Sequence, residues 1–216
     1  MNLSAYFAII FGSIFVNNFV LARFLGLCPF VGVSKKTDEA VGMGMAVIFV
    51  MTLASAATWC LYHFVLLPGE ETGQNILSFL IGNKVSLVPI LKNVSYILVI
   101  ATLVQLVEIT MRKTSPGLYR ALGIYLPLIT TNCAVMGVAL LNTTDAPRDF
   151  NFLEATVQGF SAGVGFLLAM LLMSAIRERL ALSAVPESLR GLPVAFICAA
   201  LMALSFLGFA GILGTG

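Results

Sequence analysis

"FLGLCPFVGV", Phe24 to Val33, is apolar throughout but only ten residues long. A membrane-crossing helix needs about 20 mostly apolar residues, so this stretch is too short to span alone. It holds Cys28 followed by Pro29, with Gly32 four residues after the cysteine. The same device returns in "TTNCAVMGVAL", Thr130 to Leu140, where Gly137 follows Cys133 at the same distance. A short apolar piece after a first apolar run and a single charge, Arg23, predicts a broken or re-entrant first helix.

The composition around these stretches sets the class. Of 216 residues, 59% are hydrophobic and 10% charged, against about 25% charged in ordinary soluble domains. Mean hydropathy is +1.01. The chain is read as an all-α integral membrane protein. A net charge of +2 with no long basic block excludes nucleic acid as a partner. The first apolar run has no basic region before it and no small-residue cleavage pattern, so it is expected to be a retained span and not a signal peptide.

Six stretches have spanning length: Leu3–Leu21, Ala40–Tyr62, Asn93–Met111, Ala121–Leu141, Ala155–Ile176 and Leu192–Leu213. Alternate loops carry eight of the twelve basic residues: Lys35 and Lys36, then Arg112, Lys113 and Arg120, then Arg177, Arg179 and Arg190. The positive-inside rule places these loops in the cytoplasm and both termini outside.

Aligning the cysteines sets "LARFLGLCPFVGV" over "LPLITTNCAVMGV", with leucine, cysteine, glycine and valine coinciding. Downstream, "EAVGMGMAV" from Glu39 resembles "EATVQGFSAGVG" from Glu154. Pro89 with Lys92 and Pro186 with Arg190 precede the third and sixth spans. Three spans per unit invert the second unit relative to the first. The expectation is six transmembrane helices as a 3+3 inverted repeat, 1–111 and 112–216, with broken helices meeting at the midplane.

Cys28 before Pro29 sits where a helix N-cap would, since proline suits the first helical position. Thr130, Thr131 and Asn132 before Cys133 are capping residue types. At a helix start the dipole and free N–H groups favour a thiolate. Thiolates ligate iron–sulfur clusters, which usually take four, so this chain would supply two. The plainer reading is that these residues only relieve backbone groups at a helix break. A thiol–disulfide relay is a further use, although no C-x-x-C pair supports it. Cys60 and Cys198 lack such flanks and read as packing residues. His63 reads as interfacial. Glu108 and Arg112 are either an (i, i+4) ion pair or the carboxylate is an intramembrane cation ligand. Asn17 and Asn18 either hydrogen-bond across helices or line an ion path.

"FVNNFVLARFLGLCPFVGVSKK" and "RKTSPGLYRALGIYLPLITTNCAVMGVALLN" closely resemble the membrane subunits of the Rnf (Rsx) and Nqr ion-translocating oxidoreductases, and "GFSAGVGFLLAMLLMSAIRERL" and "VPESLRG" extend the resemblance over nearly the whole chain. "VNNFVL", "LCPF" and "TTNCAVMGVALLN" favour the A-type branch of the Rnf subunits over the E-type branch of Nqr. The resemblance implies a six-span subunit of the bacterial or archaeal cytoplasmic (inner) membrane, surrounded by lipid and not catalytic alone. It implies pairing with a homologous subunit of opposite orientation, of the E type in Rnf, and assembly with the complex's other subunits. Each partner of the pair would give two cysteines, here Cys28 and Cys133, to one shared [2Fe-2S] cluster. Pro29, Gly32, Asn132 and Gly137 would support them. The complex would pass electrons between ferredoxin or NADH and flavin- or quinone-side carriers, coupled to Na+ or H+ movement. The Pro68–Lys92 loop is longer than the family pattern, and no contact is carried over to it. The competing reading is a self-sufficient secondary ion transporter, since inverted repeats with broken helices are also transporter architecture.

Overall fold

A computed structural model describes residues 3–63, 88–114, 126–142, 151–183, 186 and 189–210. Every regular element among them is helical. The chain runs through α1 (Leu3–Phe11), which continues as a π-helical turn over Gly12–Val16, then α2 (Leu27–Val33), α3 (Thr37–Leu61) and α4 (Val88–Thr114). After these come α5 (Leu126–Thr130), α6 (Cys133–Leu141), α7 (Phe152–Ala181) and α8 (Leu192–Ala210). Most of the Pro68–Lys92 loop, and parts of the loops after α4 and α6, lie outside the described residues.

Three helices, Thr37–Leu61, Phe152–Ala181 and Leu192–Phe209, are long and apolar enough to cross a membrane. The other expected spans coincide with shorter apolar segments: Tyr6–Val16, Asn93–Leu106 and Leu128–Leu141. In two of them the reason is a break. The first apolar run stops being helical at Asn17 and resumes at Leu27. The fourth is interrupted at Thr131 and Asn132.

The centre of the fold is the antiparallel pair α3 and α7. Their backbones approach closely because small residues face the partner helix. A Cβ at Gly163 would meet Ile48 Cα at 2.7 Å, and one at Gly159 would meet Ser55 Cβ at 2.6 Å. Gly44 on α3 packs in the same way against Leu167 on α7. Gly159 and Gly163 are four residues apart and share a helix face, the small-xxx-small arrangement that lets membrane helices pack by van der Waals contact. Gly44 and Gly159 each stand five residues after the glutamate of a Glu-Ala pair, and Ala40 and Ala155 of those pairs are both fully buried. The two segments that look alike in sequence are therefore the two halves of one packed interface.

Polar contacts pin the ends of this pair. At the end where α3 starts, the Thr37 hydroxyl donates to Glu178 Oε1 at 2.7 Å and lies 3.1 Å from Ser174 Oγ. At the other end, Ser55 Oγ donates to the Ala155 carbonyl at 2.5 Å and accepts from Asn142 Nδ2 at 2.5 Å. At this second end Ser55, Asn142 and Ala155 are buried, so each such group needs a protein partner. The outward faces of α4 and α8 are apolar, as lipid contact requires: Leu98, Leu106, Leu201 and Leu204 are all exposed.

Candidate functional site

The first break is a compact turn held by one side chain. Asn18 is fully buried. Its Oδ1 accepts from the backbone N–H groups of Val20 and Leu21, and its Nδ2 donates to Ile14 O and, across to α7, to Gly165 O at 2.8 Å. All four hydrogen-bonding positions of the amide are used, two on the turn itself, one on the π-helical turn before it and one on α7. Of the two sequence alternatives for Asn18, cross-helix bonding is the arrangement seen. Asn17 is exposed, and its N–H closes the π-helical turn onto Gly12 O at 2.7 Å.

The turn ends in two left-handed residues, Phe24 at φ 55 and Gly26 at φ 79. Glycine takes this conformation freely. Phenylalanine does not, and strain of order 1 kcal/mol is held at Phe24. Gly26 is the N-cap of α2, so Cys28 is the second residue of the helix and Pro29 the third. The sequence reading placed Cys28 at the cap itself and proline at the first helical position. The shift is compatible with proline because none of the first four helical N–H groups has an intrahelical acceptor.

The second break is capped by the residue type expected. Asn132 precedes α6, and its side chain accepts from Ala134 N at 3.0 Å, so Cys133 is the first residue of the helix. Asn132 is 4% exposed, and its Nδ2 has no hydrogen-bond partner among the described residues.

The two breaks pack against each other. A Cβ at Gly26 would lie 2.7 Å from Asn132 Oδ1 and 3.2 Å from Ala134 Cβ, and one at Gly137 would lie 2.8 Å from Leu25 Cδ1. From this junction the half-helices run apart. The far end of α2 is held by Arg177, which donates to Val31 O at 2.7 Å and Ser34 Oγ at 3.0 Å. The far end of α6 is held at Asn142 by Ser55.

The long helices supply a ruler for depth. Thr37 to Ser55 on α3 measures about 27 Å at 1.5 Å per residue. Cys28 stands about 9 Å from Ser34, and Cys133 about 13 Å from Asn142 by the same rise. Each cysteine therefore stands at the inner end of its half-helix, next to the junction where the two breaks meet. Both side chains are exposed on the bundle's surface, although neighbouring Phe30, Ala134 and Val135 are buried.

The remaining residues singled out by sequence divide clearly. Pro29 and Asn132 are buried beside the junction. Gly137 is closely approached by Leu25 and Phe19, whereas Gly32 is exposed with open space around it. Cys60 and Cys198 are half-buried, and Cys198 packs against the core. His63 stacks on Trp59 at 4.7 Å near the end of α3. Glu108 is half-buried and Arg112 exposed towards the end of α4. Sequence reasoning missed Gly26, Phe24 and the role of Arg177. Only Gly26 left a signal, as a glycine in the short uncharged stretch after the first apolar run.

No group of three or more His, Cys, Asp or Glu side chains gathers among the described residues. Cys28 and Cys133 are nonetheless suited to a metal centre completed from outside. They are soft sulfur donors, each exposed and each in the first turn of a half-helix.

Comparison with known proteins gives a consistent result. The family described as "Rnf-Nqr subunit, membrane protein" matches residues 6–213. The chain is 52% identical over 210 residues to the A-type subunit of the ion-translocating oxidoreductase complex of Serratia proteamaculans, covering 97% of this chain and 98% of that one. It is 50% identical, with the same coverage, to the corresponding proteins of Sodalis glossinidius and Azoarcus sp..

Proposed function

The chain belongs to the Rnf-Nqr family of membrane proteins, and from that premise we propose that Cys28 and Cys133 are two of the four ligands of a [2Fe-2S] cluster shared with a homologous subunit. As its relatives' name states, the protein is a membrane subunit of an ion-translocating oxidoreductase complex. It is part of an enzyme and not an enzyme by itself.

One observation carries the ligand assignment. Two cysteines lie in the first turns of two half-helices that start from one packed junction, and both are exposed. Exposure leaves both sulfurs open to a partner subunit, whereas Cys60 and Cys198 are half-buried. A [2Fe-2S] centre takes four protein ligands, so a partner surface covering the junction must bring the other two. When bound, such a centre supplies a one-electron carrier inside the membrane. This chain's part is to hold two thiolates at fixed separation. The Asn18 network and the Asn132 cap hold the turns on which they stand, and Arg177 and Asn142 fix the outer ends of their helices.

Further features support a 3+3 inverted repeat behind this site. The equivalent long helices α3 and α7 run antiparallel, the equivalent half-helices α2 and α6 run in opposite directions, and Gly44 and Gly159 play matching roles. An oppositely inserted homologue would then present its own cysteine pair across a pseudo-symmetric interface. We place the protein in the bacterial or archaeal cytoplasmic membrane with both termini outside, and assign Na+ or H+ as the coupled ion.

The test is iron content and the reduced [2Fe-2S] resonance after anaerobic purification. The chain produced alone is expected to hold little or no cluster, and co-production with its homologous partner to give one cluster per pair. A full cluster in the monomer overturns the shared site. No iron in the co-produced pair overturns the ligand assignment.

A further inference from the structure

At the end of the bundle where α2 stops and α3 starts, a cavity of about 200 Å³ opens between α7 and α8. It is lined by Arg177, Leu180, Ala181, Arg190, Gly191 and Val194. Two guanidinium groups thus share one cavity, and no carboxylate among the described residues lines it. Arg177 is half-buried and uses one terminal nitrogen, Nη1, for Val31 O and Ser34 Oγ. Arg190 is exposed. Two cations in one concave site repel each other unless an anion lies between them, and a guanidinium presents a planar fork of donors that fits phosphate oxygens.

The surroundings indicate which anion. The rest of the lining is aliphatic: Leu180, Ala181 and Val194. Below the mouth, the side of α8 that carries Val194 exposes Ile197, Leu201 and Leu204 at 47%, 59% and 64%. A free phosphate has no use for this apolar track. A molecule with a phosphate head and acyl chains would use both parts. Basic pockets between membrane helices at the cytoplasmic surface are general sites for anionic headgroups, and the basic loops place this end there.

We propose that this cavity binds the phosphate of an anionic phospholipid headgroup between Arg177 and Arg190, with the acyl chains along the exposed face of α8. Arg177 also holds the end of α2, so an occupied site joins the surrounding lipid to the half-helix that carries Cys28. The proposal rests on the membrane-spanning arrangement and is independent of whether Cys28 and Cys133 bind iron.

The test is lipid binding to the purified, delipidated complex, followed by native mass spectrometry and thermal unfolding. The probes are phosphatidylglycerol, phosphatidylcholine and inorganic phosphate. Phosphatidylglycerol is expected to bind and raise the unfolding temperature, and the other two to do so weakly. Each basic residue near the membrane surface contributes about 1 kcal/mol, so Arg190→Gln should weaken phosphatidylglycerol about fivefold. Arg179→Gln, which removes an exposed charge outside the cavity, should leave it unchanged. Arg190 makes no hydrogen bond to the described structure, so its variant tests the site without disturbing α2. Arg177→Gln is expected to weaken both lipid binding and the attachment of α2. Equal losses in Arg179→Gln and Arg190→Gln would reduce the site to diffuse surface charge and overturn it. So would inorganic phosphate binding as tightly as the lipid, or no loss in Arg190→Gln.

Discussion

Gly26 and Asn132, more than a hundred residues apart in sequence, meet where the two half-helices begin. A Cβ at position 26 would stand 2.7 Å from Asn132 Oδ1. That contact sets how near the start of α2 comes to the start of α6, and with it the relative position of Cys28 and Cys133. The N-cap of one half-helix thus packs on the N-cap of the other.

Gly26→Ala should be costly for two reasons. The left-handed φ of 79 costs a non-glycine residue about 1–2 kcal/mol, and the added methyl meets Asn132 and the Phe166 ring. A fall in thermal midpoint and a weakened or lost cluster signal in the co-produced pair are expected. Gly32→Ala adds its methyl into open space on the helical turn of α2, and its midpoint should match or slightly exceed wild type. Equal midpoints for the two variants would contradict the junction.

The four cysteines should divide two and two. Cys28→Ser and Cys133→Ser are each expected to abolish the [2Fe-2S] resonance and electron flow through the complex. Cys60→Ala and Cys198→Ala should leave both largely intact, since these side chains are half-buried packing residues. In the isolated chain, maleimide should label Cys28 and Cys133 faster than Cys60 and Cys198. Assembly with the partner should protect the first pair. Uniform labelling of all four would count against the exposed junction.

The α3–α7 contact should tolerate no added volume at its close approaches. Gly163→Ala drives a methyl against the Ile48 backbone, and overpacking of this kind costs about 1–3 kcal/mol. Gly208→Ala, on the exposed face of α8 with nothing within reach, is the matched control and should be neutral. Unfolding in detergent by denaturant measures both. An unchanged midpoint in Gly163→Ala would mean that the helices are farther apart than described.

The basic loops predict an orientation with both termini outside. A reporter fused after Gly216 should be active in the exported compartment, and one placed in the Arg112–Arg120 loop should report the cytoplasm. A cytoplasmic signal after Gly216 would remove the inverted repeat and the proposed partner orientation with it.

The class of this protein was legible in the sequence because membrane insertion reads a one-dimensional quantity, the length of apolar runs. The breaks were legible for a similar reason. A ten-residue apolar piece beginning at Phe24 cannot span, and Thr130, Thr131 and Asn132 interrupt the fourth run with residues that compete for backbone hydrogen bonds. Local chemistry also pointed to Cys28 and Cys133, because proline and capping residues mark helix starts wherever they fall. The sequence did not settle which of three capping residues serves α6, nor that Gly26 and not Cys28 caps α2. Both depend on what the backbone packs against. Asn132 is selected because its side chain reaches Ala134 N, and residue 26 is glycine where it lies against Asn132. The clamp of Arg177 on the end of α2, the anchoring of Asn18 on Gly165 and the outward exposure of both cysteines join residues far apart in the chain. Only tertiary packing decided these, because burial and the partner of a polar group are properties of the surrounding helices and not of the local sequence.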